Sequence, residues 1–206
     1  MNDNFLNEQE KQETGRGFEK KISPFFSLIF DLAKLLVLAF IIVLPIHYFI
    51  FQPFYIVGPS MEPNFYDSDY LIIEKVAYHF RNPERGEIII FKSPNNPKSH
   101  LIKRLIGLPG EKIIVAKGNI KIYNKDFPQG FELSENLYLT PGTNTPGDLE
   151  VELKDNEYYL LGDNRNMSLD SRIFGPIRKE DFTGRGWFRG WPFKELGFIK
   201  TPTFVY

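Results

Sequence analysis

The chain has 206 residues, of which 42% are hydrophobic and 25% are charged, and its formal net charge is −1. This composition argues against a disordered chain and against a basic nucleic-acid-binding protein. The chain contains no cysteine, which excludes a disulfide scaffold, a thiolate nucleophile and a cysteine-ligated zinc site, and its three histidines make a multi-histidine metal centre improbable.

The apolar stretch that follows the polar N-terminal segment is long enough to cross a membrane. From Leu35 to Phe54 the sequence contains no Asp, Glu, Lys or Arg, and a helix of this length spans about 30 Å, the thickness of the bilayer hydrocarbon. A cleaved signal peptide would have a shorter polar lead and a small-x-small site after the apolar run, and a buried core helix would be shorter and apolar on one side. The pattern therefore predicts an uncleaved anchor, placed at residues 28–54.

Basic residues flank this stretch asymmetrically. Four of them precede it or lie at its start: Arg16, Lys20, Lys21 and Lys34. The next lysine or arginine along the chain is Lys75. The positive-inside rule therefore predicts a cytoplasmic tail at residues 1–27 and an exported domain at residues 55–206.

Short β-rich runs separated by turn residues recur through the predicted exported domain. The predicted strands are Tyr70–Lys75, Glu87–Phe91, Leu101–Ile106, Lys112–Ala116, Ile120–Tyr123 and Glu157–Leu161. Turns rich in Pro, Gly and Asn separate these runs, and Lys117-Gly118 is typical of a tight hairpin connection. We therefore expect an antiparallel, mainly β domain, with residues 125–148 as a long insertion.

The first segment with possible chemistry, GPSMEP, follows the anchor. Ser60 lies in a turn in which Pro59 restricts the backbone and Gly58 relieves steric crowding, so the serine hydroxyl can be presented to a cleft. The alternative is an ordinary Pro/Gly turn near the membrane, which this segment taken alone favours.

Lys103 is the candidate in the second segment, HLIKRLIGLPG. Strand alternation puts it between Leu101 and Leu105 on one face of a strand. If that face is buried, desolvation lowers the pKa of the lysine amine, and a neutral amine can act as a general base for a hydroxyl nucleophile. The alternative is a lysine at a sheet edge that faces water.

The third segment, LGDNRNMSLDSR at residues 161–172, concentrates acidic, basic and hydroxyl side chains. One interpretation is a rigid hydrogen-bonded turn beside a site, in which Asp170 pairs with Arg172 and Ser168 orients an amine. The other is a solvated loop rich in Asn and Asp.

Together these segments resemble the bacterial type I signal peptidases (leader peptidases), which are membrane-bound serine proteases with a Ser-Lys dyad. The resemblance covers the anchor and nearly the whole exported domain. It rests on GPSMEP, DYLIIEK, RGEIIIF, IKRLIGLPGE and GDNRNMSLDSRIFGPI, which occur in the order of the family. The fold it implies is mainly β, an antiparallel β-sheet catalytic core with a variable β-rich insertion, preceded by one N-terminal transmembrane helix.

The resemblance also implies roles for individual residues. Ser60 corresponds to the nucleophile, Lys103 to the general base and Ser168 to a serine that hydrogen-bonds the lysine amine. The implied supporting residues are Asp163, Arg165, Asp170 and Arg172. The implied substrate-binding residues are Ile56, Met61, Phe65 and Ile102. No metal or cofactor is implied.

Gly58 is a departure from part of this family. Some members have a serine two residues before the nucleophile, whose hydroxyl helps to stabilise the oxyanion. With glycine at this position and no N–H on Pro59, the oxyanion must rely on the backbone N–H of Ser60 with a second backbone donor or water.

The implied activity is the removal of signal peptides from exported preproteins after small-x-small sites, on the outer face of the bacterial cytoplasmic membrane. The implied partners are these signal peptides and the lipid bilayer, with no nucleic acid, and the oligomeric state stays unknown. The aromatic-rich stretch Trp187–Phe193 either seats the domain at the membrane or packs in its core. Two alternatives stay open: a peptidase specialised for one substrate, and a non-catalytic, membrane-tethered β domain that binds partners.

Overall fold

The structure, a computed structural model, describes residues 24–204. The predicted cytoplasmic tail, with Arg16, Lys20 and Lys21, lies almost entirely outside the described residues. Within the described residues the chain separates into two units, with the boundary between residues 44 and 45.

An apolar helix is the described part of the first unit. Helix α1 (Pro24–Pro45) continues into a π-helical turn, Ile46–Ile50, which belongs to the second unit. Among the described residues, Phe25–Ile50 is the one helical segment long and apolar enough to cross a membrane, and its most apolar 18 residues have a mean hydropathy of 2.5. This helix ends four residues before the predicted end of the anchor. A strand begins directly after the helix and contains Phe51–Phe54, so the uncharged stretch in the sequence covers both elements.

The second unit consists mainly of short strands. They are β1 (Phe51–Tyr55), β2 (Tyr70–Glu74), β3 (Ile88–Ser93), β4 (Asn96–Gly107), β5 (Lys112–Ala116), β6 (Asn119–Tyr123), β7 (Phe131–Glu132), β8 (Leu149–Glu152), β9 (Glu157–Leu161), β10 (Ile177–Arg178), β11 (Phe182–Trp191) and β12 (Gly197–Phe198). Two short helices, α2 (Ala77–Phe80) and α3 (Ser171–Phe174), and two 3₁₀ turns, Lys179–Asp181 and Phe193–Glu195, connect them.

The strands form two sheets in which neighbouring strands run antiparallel. The larger sheet has the order β1-β2-β11-β3-β4-β9-β10, with β12 paired to β11, and the smaller sheet has the order β7-β6-β5-β8. The β5–β6 hairpin turns at Lys117 and Gly118, whose φ angles of 51° and 86° suit a two-residue hairpin turn. The predicted mainly β, antiparallel fold with one N-terminal apolar helix is confirmed.

Strand β4 brings the core to the candidate site. Its last six residues, 102–107, are all buried, so both faces of this part of the strand are covered. Ile102, Leu105 and Ile106 each belong to a different apolar cluster. Any polar side chain on this half of β4 is therefore placed in the interior, whichever face it occupies.

The aromatic stretch Trp187–Phe193 is largely part of β11, a central strand between β2 and β3. The sequence does not show this strand clearly, because glycines and arginines interrupt its apolar pattern. Gly184 is required there, since a Cβ atom would lie 2.5 Å from the carbonyl oxygen of Glu74. Trp187 packs against Phe51 and Phe198, whereas Phe193 is 73% exposed.

The predicted insertion, residues 125–148, folds against the smaller sheet. It contains β7, and its buried Leu133, Tyr138 and Leu139 belong to the apolar cluster that includes Ile113. These contacts give the insertion a fixed place beside the residues of the third sequence segment.

Candidate active site

Ser60 lies in a compact turn that is tied to a second loop. Gly58 has a φ of 88°, which favours glycine, and the backbone N–H of Glu62 donates to the carbonyl of Pro59. The carbonyl of Ser60 accepts a hydrogen bond from the backbone N–H of Asn164 at 3.1 Å. This bond fixes the Ser60 turn to the loop that follows β9.

The amine of Lys103 lies next to the hydroxyl of Ser60. Its Nζ is 2.7 Å from Ser60 Oγ and 2.8 Å from the carbonyl oxygen of Ile102. Lys103 is only 2% exposed. Burial lowers the pKa of this amine to about 8, and the negative charges of Asp170 and Asp163 partly oppose that shift. An amine with this pKa can be neutral near neutral pH, as proton acceptance from a hydroxyl requires.

The pH dependence of catalysis is expected to follow the protonation state of the Lys103 amine. Below pH 8 Lys103 is mainly protonated and cannot accept a proton, so kcat/KM should rise with pH and level off above an apparent pKa of about 8. The measurement is kcat/KM between pH 6 and 10 for the preprotein cleavage that the resemblance implies, with unfolding followed at each pH. A profile that is flat from pH 6 to 9 would exclude Lys103 as the base.

A buried ion pair joins the strand of Lys103 to the turn of Ser60. Arg104 Nε donates to Asp163 Oδ1 at 2.8 Å and its Nη2 to Oδ2 at 2.5 Å. Asn64 Nδ2 donates to Asp163 Oδ2 at 2.8 Å, and Asn64 lies four residues after Ser60. The carboxylate of Asp163 is completely buried and thus holds both elements in register.

Replacement of Asp163 by asparagine is expected to lower the free energy of unfolding by about 3–5 kcal/mol, because Arg104 would keep a buried charge without its counter-ion. Chemical denaturation measures this loss. The matched control is Arg178→Gln, which breaks an ion pair whose side chains are 65% and 62% exposed and should change stability by about 0.5 kcal/mol or less. If both substitutions lower the free energy of unfolding by the same amount, the Arg104–Asp163 pair does not hold the two elements together.

Asp170 and Arg172 form the predicted pair. Arg172 Nε and Nη2 each lie 2.8 Å from the Asp170 carboxylate, which also accepts the backbone N–H of Gly162 at 3.0 Å. Burial opposes ionisation of Asp170, but these hydrogen bonds hold the pKa of its carboxyl below the usual range. Arg172 Nη2 also donates to the carbonyl of Arg165 at 2.7 Å, which closes the loop on itself.

Arg165 has a partner that sequence reasoning did not identify. Its Nη1 lies 2.6 Å from Glu135 Oε2 and also contacts Thr145, and both partners belong to the insertion. Arg165 Nε donates to the carbonyl of Gly162 at 3.0 Å. The sequence held no direct signal for this pair, because the partners are 30 residues apart and belong to different elements.

Ser168 lies beside the pair but does not make the predicted bond to the lysine. The recorded hydrogen bonds of Lys103 Nζ go to Ser60 and to the Ile102 carbonyl. Ser168 Oγ is buried and makes no hydrogen bond of good geometry within residues 24–204, although the hydroxyl is near enough to help lower the pKa of Asp170. Gly162 separates Ser168 from the Ser60 turn, and a Cβ on it would lie 2.5 Å from the Ser60 carbonyl oxygen.

The four predicted substrate-binding residues lie in one apolar cluster. Ile56, Met61, Phe65 and Ile102 are each at most 5% exposed and pack with Leu71, Ile73, Ile88 and Ile90. Met61 and Ile102 are the chain neighbours of Ser60 and Lys103, so this cluster borders the Ser–Lys pair. In the described part of the chain, no group of three or more His, Asp or Glu side chains has a metal-binding arrangement.

A serine hydroxyl beside a buried lysine amine is the arrangement expected of a serine hydrolase that uses an amine as its base. A family model described as signal peptidase, peptidase S26, matches residues 29–191. The chain belongs to this family, a family of serine proteases.

Two sequence relatives agree with this placement. The chain is 36% identical over 204 residues to a probable signal peptidase I-2 of Synechocystis, covering 97% of this chain and 86% of the relative. It is 36% identical over 176 residues to a signal peptidase I of Leptolyngbya laminosa, covering 82% and 83% of the two chains. A crystal structure of a signal peptidase I from Enterococcus faecalis has 31% identity and a TM-score of 0.42, covering 51% of this chain and 97% of the other.

Proposed function

We propose that the chain is a membrane-bound serine endopeptidase that removes N-terminal signal peptides from exported preproteins by cleavage after small-x-small sites. The observation that carries the proposal is the 2.7 Å distance between Lys103 Nζ and Ser60 Oγ in a buried setting. Membership of the signal peptidase family supports the class of substrate.

In the proposed mechanism, neutral Lys103 accepts the proton of Ser60 as its Oγ attacks the scissile carbonyl carbon. The lysine then donates this proton to the leaving amine. In the second half of the cycle, Lys103 accepts a proton from a water molecule that attacks the acyl carbon. The bond between this carbon and Ser60 Oγ then breaks, and Lys103 returns the proton to Oγ. The buried position of the amine supports this cycle, because desolvation keeps it neutral at a pH at which an exposed lysine is charged.

The oxyanion in this mechanism is stabilised by backbone donors. Gly58 carries no hydroxyl and Pro59 has no N–H, so the Ser60 N–H is the nearest donor. One such donor typically contributes about 3–4 kcal/mol to the transition state. A Cβ added to Gly58 would have no neighbour within 4 Å, so there is space for a serine side chain. The φ angle of 88° at this position nevertheless disfavours serine.

The membrane part of the proposal rests on the apolar segment Phe25–Ile50. We assign it as a single span with the N-terminus in the cytoplasm and residues 55–206 as the exported catalytic domain. The domain would then act close to the outer membrane surface, where the signal peptide of a translocated preprotein is still held in the bilayer.

The test is cleavage of a purified preprotein carrying an Ala-x-Ala site by the full chain in detergent. The new N-terminus of the product is read by mass spectrometry, and we expect it directly after the second alanine. A preprotein with leucine in place of that alanine should not be cut, and Ser60→Ala enzyme purified in parallel controls for contaminating proteases.

The outcomes separate the alternatives. Cleavage that survives Ser60→Ala would exclude the proposed nucleophile. A wild-type chain that cuts no generic preprotein, but is labelled at Ser60 by a serine-directed acylating reagent, would indicate a peptidase specialised for one substrate. A chain that neither cuts nor reacts would indicate a tethered binding domain.

A further inference from the structure

A cavity of about 370 Å³ has a lining that includes neither Ser60 nor Lys103. It is formed where β2, α2, the turn before β9 and the 3₁₀ turn after β10 meet. Its lining residues are Lys75, Tyr78, His79, Asn156, Lys179, Glu180 and Phe182. Two of these side chains are lysines and one is a histidine, so the lining is rich in nitrogen donors.

The two lysines of this cavity are not paired with a carboxylate of the described residues. Within residues 24–204, neither Lys75 nor Lys179 forms an ion pair: their Nζ atoms donate to the Tyr48 carbonyl at 3.3 Å and to Asn82 Oδ1 at 3.2 Å. The one acidic residue of the lining, Glu180, lies 3.3 Å from Arg178, which offsets its charge. The cavity therefore presents two uncompensated cations to a ligand.

The cavity adjoins the end of the apolar helical segment. Lys75 binds the last turn of that segment twice, because its backbone N–H donates to the carbonyl of Ile50 at 2.9 Å and its Nζ to that of Tyr48. Ile50 is the last residue of Phe25–Ile50. In a membrane, Lys75 would therefore lie at the depth where apolar chains give way to polar headgroups.

Exposed aromatic side chains stand next to these cations. Phe80, which follows His79 in α2, is 86% exposed, and Tyr48 and Phe49 are 74% and 67% exposed. Apolar rings beside lysines are typical of protein surfaces that enter the membrane interface, where the rings meet acyl chains and the amines meet phosphates.

We propose that this cavity binds the phosphate of an anionic phospholipid headgroup through Lys75 and Lys179, with His79 as a further donor. The proposal rests on the assignment of Phe25–Ile50 as a membrane span, which puts the cavity at headgroup depth, but not on the peptidase activity. A lysine near an anionic membrane surface contributes about a fivefold gain in affinity, so the two lysines together should contribute about 25-fold.

The test uses the full chain in neutral-detergent micelles without substrate. Binding of six-carbon-chain phosphatidylglycerol, six-carbon-chain phosphatidylcholine and inorganic phosphate is measured by native mass spectrometry. We expect K75Q/K179Q to bind phosphatidylglycerol about 25-fold more weakly than wild type. The control K98Q/K125Q removes the same charge from two exposed lysines outside the cavity and should bind within about twofold of wild type.

Other outcomes overturn the proposal. An equal loss in both double variants would show attraction by net charge alone. Equal binding of phosphatidylglycerol and phosphatidylcholine would exclude recognition of an anionic headgroup. Inorganic phosphate that binds as tightly as phosphatidylglycerol, with the same dependence on the lysines, would identify a free-anion site instead.

A second variant tests the site if the double variant does not fold. Asn156→Glu adds a negative charge at an exposed lining residue and leaves both lysines in place. It should weaken phosphatidylglycerol binding at least about fivefold, and unchanged binding would contradict the proposal. Because the readout is lipid binding, a failure here is distinguishable from a failure of preprotein cleavage.

Discussion

Replacement of Lys103 by arginine is expected to lower kcat/KM for preprotein cleavage by about 10³-fold or more. A guanidinium stays protonated at every pH at which the protein is folded, so it cannot accept the proton of Ser60 even though it keeps a positive charge. General-base catalysis typically contributes about 10²–10⁴-fold, and a charged, larger group in the same buried position also disturbs the Ser60 hydroxyl.

The matched control for this substitution is Lys98→Arg, on the exposed first half of β4. It makes the same chemical change on the same strand and should leave kcat/KM within about twofold of wild type. Thermal unfolding of both variants separates lost chemistry from lost structure. If Lys103→Arg folds and retains more than a tenth of wild-type activity, the amine of Lys103 is not the base.

Replacement of Gly162 by alanine is expected to lower kcat/KM by about 10²-fold or more. The added Cβ would overlap the hydroxyl of Ser168 and lie 2.5 Å from the carbonyl oxygen of Ser60, a separation that real Cβ atoms essentially never show. Backbone atoms cannot yield as a flexible side chain can, so the Ser60 turn must move relative to Lys103. A displacement of about 1 Å at a reacting group is enough for a loss of this size.

Gly197→Ala is the control for this experiment, because a Cβ on Gly197 has no neighbour within 4 Å. Activity and thermal unfolding are measured for both alanine variants. If Gly162→Ala moves the Ser60 turn, it should lower kcat/KM strongly while changing the unfolding temperature little. Full activity of Gly162→Ala would show that the turn adjusts without cost, and that the packing of Gly162 does not position Ser60.

The parts of the fold that the sequence predicted well are those with a simple local pattern. Strands β5 and β9 occur at the predicted residues, because each is a short run rich in apolar residues with turn residues on both sides. The sequence pattern does not indicate strand β11, since Gly184 is required by a close approach of the β2 backbone at Glu74, which no local pattern records. The sequence pattern places Phe51–Phe54 in the anchor, because these residues of β1 continue the apolar stretch without a break.

In the candidate site, too, local sequence motifs identify some residues, whereas contacts between distant segments could not be predicted. Ser60 and Lys103 could be proposed because each lies in a distinctive segment, and the structure brings the two side chains together. The partner of Arg165 could not be proposed, because Glu135 lies in an insertion whose position depends on the packing of the smaller sheet. The bond expected between Ser168 and Lys103 depends on the directions of both side chains, which a sequence motif does not specify.

The contact between Arg165 and the insertion has a consequence for how this protein can be recombined with its relatives. Glu135 and Thr145 both bind Arg165, and Arg172 Nη1 donates to the carbonyl of Pro146 at 3.3 Å. A chimera whose exchanged segment 125–148 lacks an acidic residue at the position of Glu135 would leave the buried guanidinium of Arg165 without its counter-ion. The insertion and the loop after β9 therefore form a single module, and grafts between homologues should transfer them as a pair.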